Sequence, residues 1–201
     1  GSTIRSFHLS HFARAGRTLK ADGMTRLLDL TAYRNKVIEQ KAFGPWRKRF
    51  GESYGAETKL SVLSDRTLYF LAKPGEGTAL AFYELVMGVL ELGEAPKFYY
   101  LEDKKQLMVM DIHLFLADQV RLELMRRLGW LTSFPVENYT LLEMVQAFKA
   151  TKAESRQKPV TLSISHPEYN EYKKLINSEK QVFIRRKFLK ALEAFRARLE
   201  P

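Results

Sequence analysis

The chain reads as a predominantly helical α+β domain of about six to eight helices with a small antiparallel β element. Three observations predict this class. Most apolar residues recur at helical spacing, for instance Leu27, Leu28, Leu30, Val37 and Ile38, or Ile184, Phe188, Leu192, Phe195 and Leu199. Capping residues and glycines punctuate those stretches, as Ser64-Asp65, Thr140 with Glu143, Gly93 and Gly129. Only a few short runs alternate or concentrate aromatic and β-branched residues as strands do. With 201 residues, 45% of them hydrophobic, the chain can bury a full core.

Residues 1–23 stand apart, and the domain is expected over 24–201. The first segment holds one acid, Asp22, against Arg5, Arg14, Arg17 and Lys20. It reads as an expression-tag remnant or an upstream extension, although an arginine-rich, acid-poor amphipathic start is also how a mitochondrial presequence reads. From Met24 the spacing predicts a helix over 25–43, ended by Gly44-Pro45, and a short one from Pro45 to Phe50. Ser64 caps a helix to Leu71, and Thr78 to Leu92 is a strong helix stopped by Gly93.

Strands are expected near 97–101 and 106–110, joined by a Glu102-Asp103-Lys104-Lys105 turn, and a further one near 160–164. Asp111 then caps a long helix to Leu128, and Thr140 opens another to Lys152. Residues 153–159 look like a loop or internal linker. A Ser165–Glu168 capping box opens a helix to Ile176, and Ser178 opens a last one through Leu199.

Composition excludes several functions. No cysteine is present, so disulfides, thiolate catalysis and cysteine-bound metal are ruled out. A cytoplasmic protein fits that composition. The longest apolar run, Thr78 to Leu92, is too short and too charged to span a bilayer. Gly75 and Gly77 lack the lysine and third glycine of nucleotide-binding loops. No cofactor is expected.

Charge is the main functional signal. The net formal charge is +10, distributed as +7 over 1–60, −4 over 61–146 and +7 over 147–201. Cations interleave with aromatics at Trp46, Arg47, Lys48 and Arg49, and again at Arg185, Arg186 and Lys187 beside Phe183 and Phe188. Such mixtures bind phosphates and stack on bases. Phe188 falls on the apolar stripe of its helix, whereas Trp46 is free to be exposed. With Lys173 and Lys174, these residues suit docking of an anionic partner, a nucleic acid or an acidic protein surface. A twofold homodimer in which basic ends meet an acidic middle is a second reading.

A third reading is a small-ligand or enzymatic site. On the helix expected at 111–128, Glu123 and Arg127 project to within about 20° of the middle of the apolar face, with His113 and Gln119 flanking it. They make Glu123 and His113 the catalytic candidates and Arg127 an anion-binding one, unless Glu123 and Arg127 form a structural pair. Metal sites are weakly signalled: His8-x-x-His11 shares a face, and Glu84, Glu91 and Asp118 lack the Glu-x-x-His pattern of carboxylate-bridged centres.

Overall fold

A computed structural model describes residues 12–200, with side chains described at Leu30 and from Ala32 onward. The histidines at positions 8 and 11 lie outside the described residues. The chain divides into two compact units, Gly1–Val37 and Ile38–Pro201. In the first, the described backbone is helical from Phe12 on. All the packing below belongs to the second.

Helix α1 (Phe12–Phe50) runs straight through Gly44-Pro45, where the sequence predicted a stop. Pro45 has no N–H, so the Lys41 carbonyl loses its helical donor. That carbonyl lies against Gly88, where a β-carbon would come within 2.7 Å of it and within 2.6 Å of the Ala42 Cα. This face of α1 therefore packs closely against α3. Phe43 and Trp46 then anchor the following turn in an aromatic group with Phe50 and Tyr54. Gly51, at φ 69°, turns the chain out.

Helix α2 (Asp65–Ala72) starts as its cap predicts: the Ser64 hydroxyl accepts the Thr67 N–H at 3.2 Å. Helix α3 (Glu76–Val89) follows, with Ala81, Phe82, Leu85, Val86 and Met87 buried. Helix α4 (Asp103–Arg127) is the central element and packs on α2, on α3 and on the last helix of the chain. Its burial from Val109 through Met125 is the centrality that the near-continuous apolar pattern predicted.

The expected hairpin over 97–101 and 106–110 does not form. Residues Ala95–Tyr100 make a 3-10 helix with proline in its first turn, and 106–110 belong to α4. Gln106, Leu107, Met108 and Met110 are good helix formers, and Glu102-Asp103 favour a helix N-terminus as readily as a turn. The Gln106 amide then closes the entry, donating to the Leu101 carbonyl at 2.9 Å. Asp111 is accordingly an interior residue of α4 and no cap.

Strand β1 (Leu131–Ser133) pairs antiparallel with β2 (Thr161–Leu162), Leu131 opposite Leu162. The 160–164 strand is thus present in short form, and its partner is a segment not assigned from sequence. Helix α5 (Leu141–Gln146) carries the predicted capping box: Glu143 N–H to the Thr140 hydroxyl, Thr140 N–H to the Glu143 carboxylate. A bend at Ala147 separates it from α6 (Phe148–Gln157), which takes in most of the expected linker.

The helix expected to reach Ile176 shrinks to α7 (Tyr169–Tyr172), because His166 Nδ1, rather than the Ser165 hydroxyl, accepts the Glu168 N–H at 3.2 Å. The last expected helix is two: α8 (Asn177–Arg185) and α9 (Phe188–Leu199). The break falls at Arg186-Lys187, where Lys187 turns inward to pair with Glu168 and lies 4.3 Å from the centre of the Phe183 ring. The class itself stands: the described residues are predominantly helical with one small antiparallel sheet.

Candidate functional site

Glu123 is 1% exposed and fully paired. Arg126 grips both of its oxygens, at 2.7 and 2.8 Å, and Arg127 Nε adds a third bond at 3.0 Å. The same Arg127 guanidinium reaches Asp65 at 2.7 Å and the Leu60 and Ser61 carbonyls at 3.0 and 3.3 Å. Arg198 closes the group by donating to the Arg127 carbonyl at 3.0 Å. Both partners of the carboxylate lie on α4, so Glu123 orients Arg127, and Arg127 ties α4 to α2, to the turn at 60–62 and, through its carbonyl, to α9.

His113 is no partner to it. Ten residues of α-helix separate them by about 15 Å along the axis. The His113 ring packs 5.3 Å from Phe82 and 5.4 Å from Tyr83. Burial, helped by the nearby Arg121 charge, holds its pKa below 6.5. The arrangement offers no acid–base pair.

The basic candidates separate into spent and free. Trp46 is completely buried, contrary to expectation, and its indole N–H donates to the Ala81 carbonyl at 2.7 Å. The ring is unavailable for stacking on a base. Arg47 bonds Glu39 at 3.0 Å and the Tyr54 carbonyl at 2.6 Å, and Arg49 meets Glu84 at 2.6 Å. Arg185 pairs with Asp118 at 2.8 Å, and Lys187 with Glu168. Lys48, Lys173, Lys174 and Arg186 are exposed and enter no ion pair among the described residues.

The three charge blocks therefore meet in part within one chain. Lys41–Glu91, Arg49–Glu84, Lys152–Asp111, Arg185–Asp118 and Arg198–Asp65 each join a basic end to the acidic middle. Glu84, Glu91 and Asp118 are consumed in these pairs. No group of three metal-ligating side chains occurs among the described residues.

An open surface lies between α4 and the α5–α6 bend. It is a groove of about 940 Å³, floored by Leu90, Leu107, Met108, Ile112, Val145 and Phe148. Leu107 is 64% exposed, and Met110 and Leu114 continue an exposed apolar stripe along α4. Leu107 and Leu114, seven residues apart, project to nearly one azimuth. At the rim, Lys104, Lys105 and Lys149 have no ion pair among the described residues, beside Glu102 and Asp111. Tyr99 and Tyr100, 81% and 89% exposed, sit just before α4.

Sequence reasoning missed this groove because it assigned 106–110 to a strand. Had a helix been drawn from Asp103, Leu107, Met110 and Leu114 would have appeared as an apolar stripe on a helix already apolar on its other side. Compared with family models, curated proteins and solved structures, the chain matches none.

Proposed function

We propose that the chain is a non-enzymatic binding module whose α4/α5–α6 groove receives an amphipathic helical segment with acidic flanks from a partner protein. The open groove, apolar along its floor and lysine-bearing at its rim, carries this reading. An amphipathic helix seats its apolar face in such a groove through anchors spaced three, four and seven residues apart. Exposed methionine and tyrosine are typical of interface cores, and Met108, Tyr99 and Tyr100 are exposed here. Lys104 and Lys105 lie in the first turn of α4, where the helix dipole adds to their positive potential. Acidic flanks on the partner complement both.

Two neighbouring readings have less support. A nucleic-acid surface was expected to use Trp46, which is buried. A salt-sensitive dimer was expected to draw on the acidic middle, whose carboxylates Glu84, Glu91, Asp111 and Asp118 already face cations of the same chain.

The test uses labelled helical peptides that share one apolar face and differ in flanking charge. By fluorescence anisotropy the acidic peptide binds, weakens steeply between about 50 and 200 mM salt, and weakens further with Lys104→Glu, Lys105→Glu and Lys149→Glu together. Equal binding of acidic and basic peptides overturns the reading. So does binding that the triple variant leaves unchanged, or a single-stranded oligonucleotide that binds where no peptide does.

A further inference from the structure

The chain has six methionines and no cysteine, so its thioethers are the only sulfur groups that a peroxide can reach. Met87, Met125 and Met144 are wholly enclosed, at 0% exposure. Met108 and Met110 are 38% and 43% exposed, and both lie in α4. Of the methionines whose side chains are described, these two alone present surface to solvent. Oxidation follows access to the sulfur, so the core is protected and this turn of α4 is not.

The two exposed methionines differ in their surroundings. Residues two apart on an α-helix point about 160° apart. Met108 is on the floor of the groove between α4 and the α5–α6 bend, together with Leu107, Ile112, Val145 and Phe148. Met110 projects from the opposite flank of α4 and lines no part of that groove. Oxidation of Met108 changes the floor chemically. The thioether sulfur attacks one peroxide oxygen, an S–O bond forms, the O–O bond breaks, and the second oxygen leaves as water or an alcohol after taking up a proton. Sulfur is oxidised by two electrons and the peroxide is reduced. The new sulfoxide oxygen is a strong acceptor, and the Leu107, Ile112, Val145 and Phe148 side chains offer it no donor. In the open groove water satisfies it. Under the apolar face of a bound helix it is buried without a partner, which is costly.

We propose that Met108 is an oxidative modification site, at which a hydroperoxide converts the thioether to a sulfoxide and closes the groove to its partner helix. This rests on the groove being the binding site. Methionine sulfoxide is reversible by dedicated reductases, so the change can be undone. The fold is untouched, because Met87, Met125 and Met144 stay enclosed. Met110 is the internal control: equally open, on the same helix, but outside the site.

The full chain carrying Met24→Leu, which leaves only the five methionines above, is treated with hydrogen peroxide, and each is followed by peptide mass mapping. Met108 and Met110 gain one oxygen at least about tenfold faster than Met87, Met125 and Met144, and Tm stays within about 2 °C. By fluorescence anisotropy the oxidised chain binds the acidic helical peptide roughly tenfold or more weakly. Met108→Leu shows the same affinity before and after peroxide, whatever that affinity is, and Met110→Leu keeps the full loss. Methionine sulfoxide reductases for both epimers, with a thiol reductant, restore binding. The proposal is overturned if Met108 reacts no faster than the enclosed three, if Met108→Leu loses affinity on oxidation as the parent does, or if the reductases restore nothing. Failure of the peptide to bind the untreated chain overturns the groove reading and this inference with it. Binding that peroxide leaves unchanged overturns the oxidation site alone.

Discussion

The indole N–H of Trp46 and the carbonyl of Ala81 lie 2.7 Å apart, joining α1 to α3 across 35 residues of sequence. A tryptophan flanked by Arg47, Lys48 and Arg49 reads as an exposed contact, yet its ring is wholly enclosed by the core. Trp46→Phe removes a buried hydrogen bond and part of a ring. The loss of stability in urea should be about 2–3 kcal/mol. In a Trp130→Phe background, Trp46 emission should be blue-shifted and unchanged by a single-stranded oligonucleotide. Quenching by the oligonucleotide would place Trp46 back at a binding surface.

Glu123 offers a contrast between an anchor and a catalytic acid. Glu123→Gln keeps the shape but takes the counter-charge from Arg126, whose side chain is 35% exposed, and leaves Arg127 with Asp65 alone as counter-charge. The loss of charge-assisted bonds should cost about 1–3 kcal/mol. Arg127→Met should cost more than Arg126→Met, because Arg127 also holds Asp65 and two carbonyls. Chemical denaturation of the three variants checks the order. A cost under about 1 kcal/mol for Glu123→Gln would show that the carboxylate stabilises nothing, and the structural assignment would fail.

Local signals were legible where they act within one turn. Ser64 and Thr140 cap the helices their sequence motifs indicate, and Gly129, at φ 76°, follows α4. The Glu123–Arg127 contact follows from their spacing of four. What sequence could not give was set by tertiary contact. Pro45 lies within α1, whose preceding turn packs closely on Gly88 of α3. Residues 106–110 are the exception: Leu107, Met108 and Met110 are exposed, and their own helix preference, which the strand reading overlooked, makes them helical. Lys187 breaks the last helix because Glu168, far away in sequence, draws it in. The groove joins α4 to the α5–α6 bend, and only the exposed Leu107, Met110 and Leu114 stripe on α4 had a periodic signal in the sequence.

Gly88 sets how closely α3 approaches α1. A β-carbon there would stand 2.6 Å from Ala42 Cα and 2.7 Å from both Ala42 N and the Lys41 carbonyl, all backbone atoms that no rotamer change can move. Gly88→Ala must push the helices apart and should cost at least about 3 kcal/mol. Gly77→Ala is the control. Its β-carbon would meet only the Phe70 ring, at 3.5 Å, so the helix preference of alanine should stabilise by about 0.5–1 kcal/mol. Equal effects at the two positions would mean that α1 and α3 are not in close contact at Gly88.

The stability of the chain should fall as pH drops below about 6.5, and His113 should supply much of the slope. Burial among Phe82 and Tyr83, with Arg121 nearby, keeps the imidazole neutral and its pKa below 6.5 in the folded state. The unfolded chain then binds more protons than the folded one, so unfolding free energy rises with pH through this window. Stability is complete above 6.5 and is lost as pH falls toward the lower folded pKa. His166 acts in the same direction, its pKa lowered by burial and by Lys187 against an opposing pull from Glu168. His113→Phe, which replaces one ring by another in an aromatic pocket, should flatten the dependence of the urea midpoint between about pH 8 and pH 5. His166 should account for the slope that remains. An unchanged slope in His113→Phe would mean that the His113 imidazole titrates as it does in water.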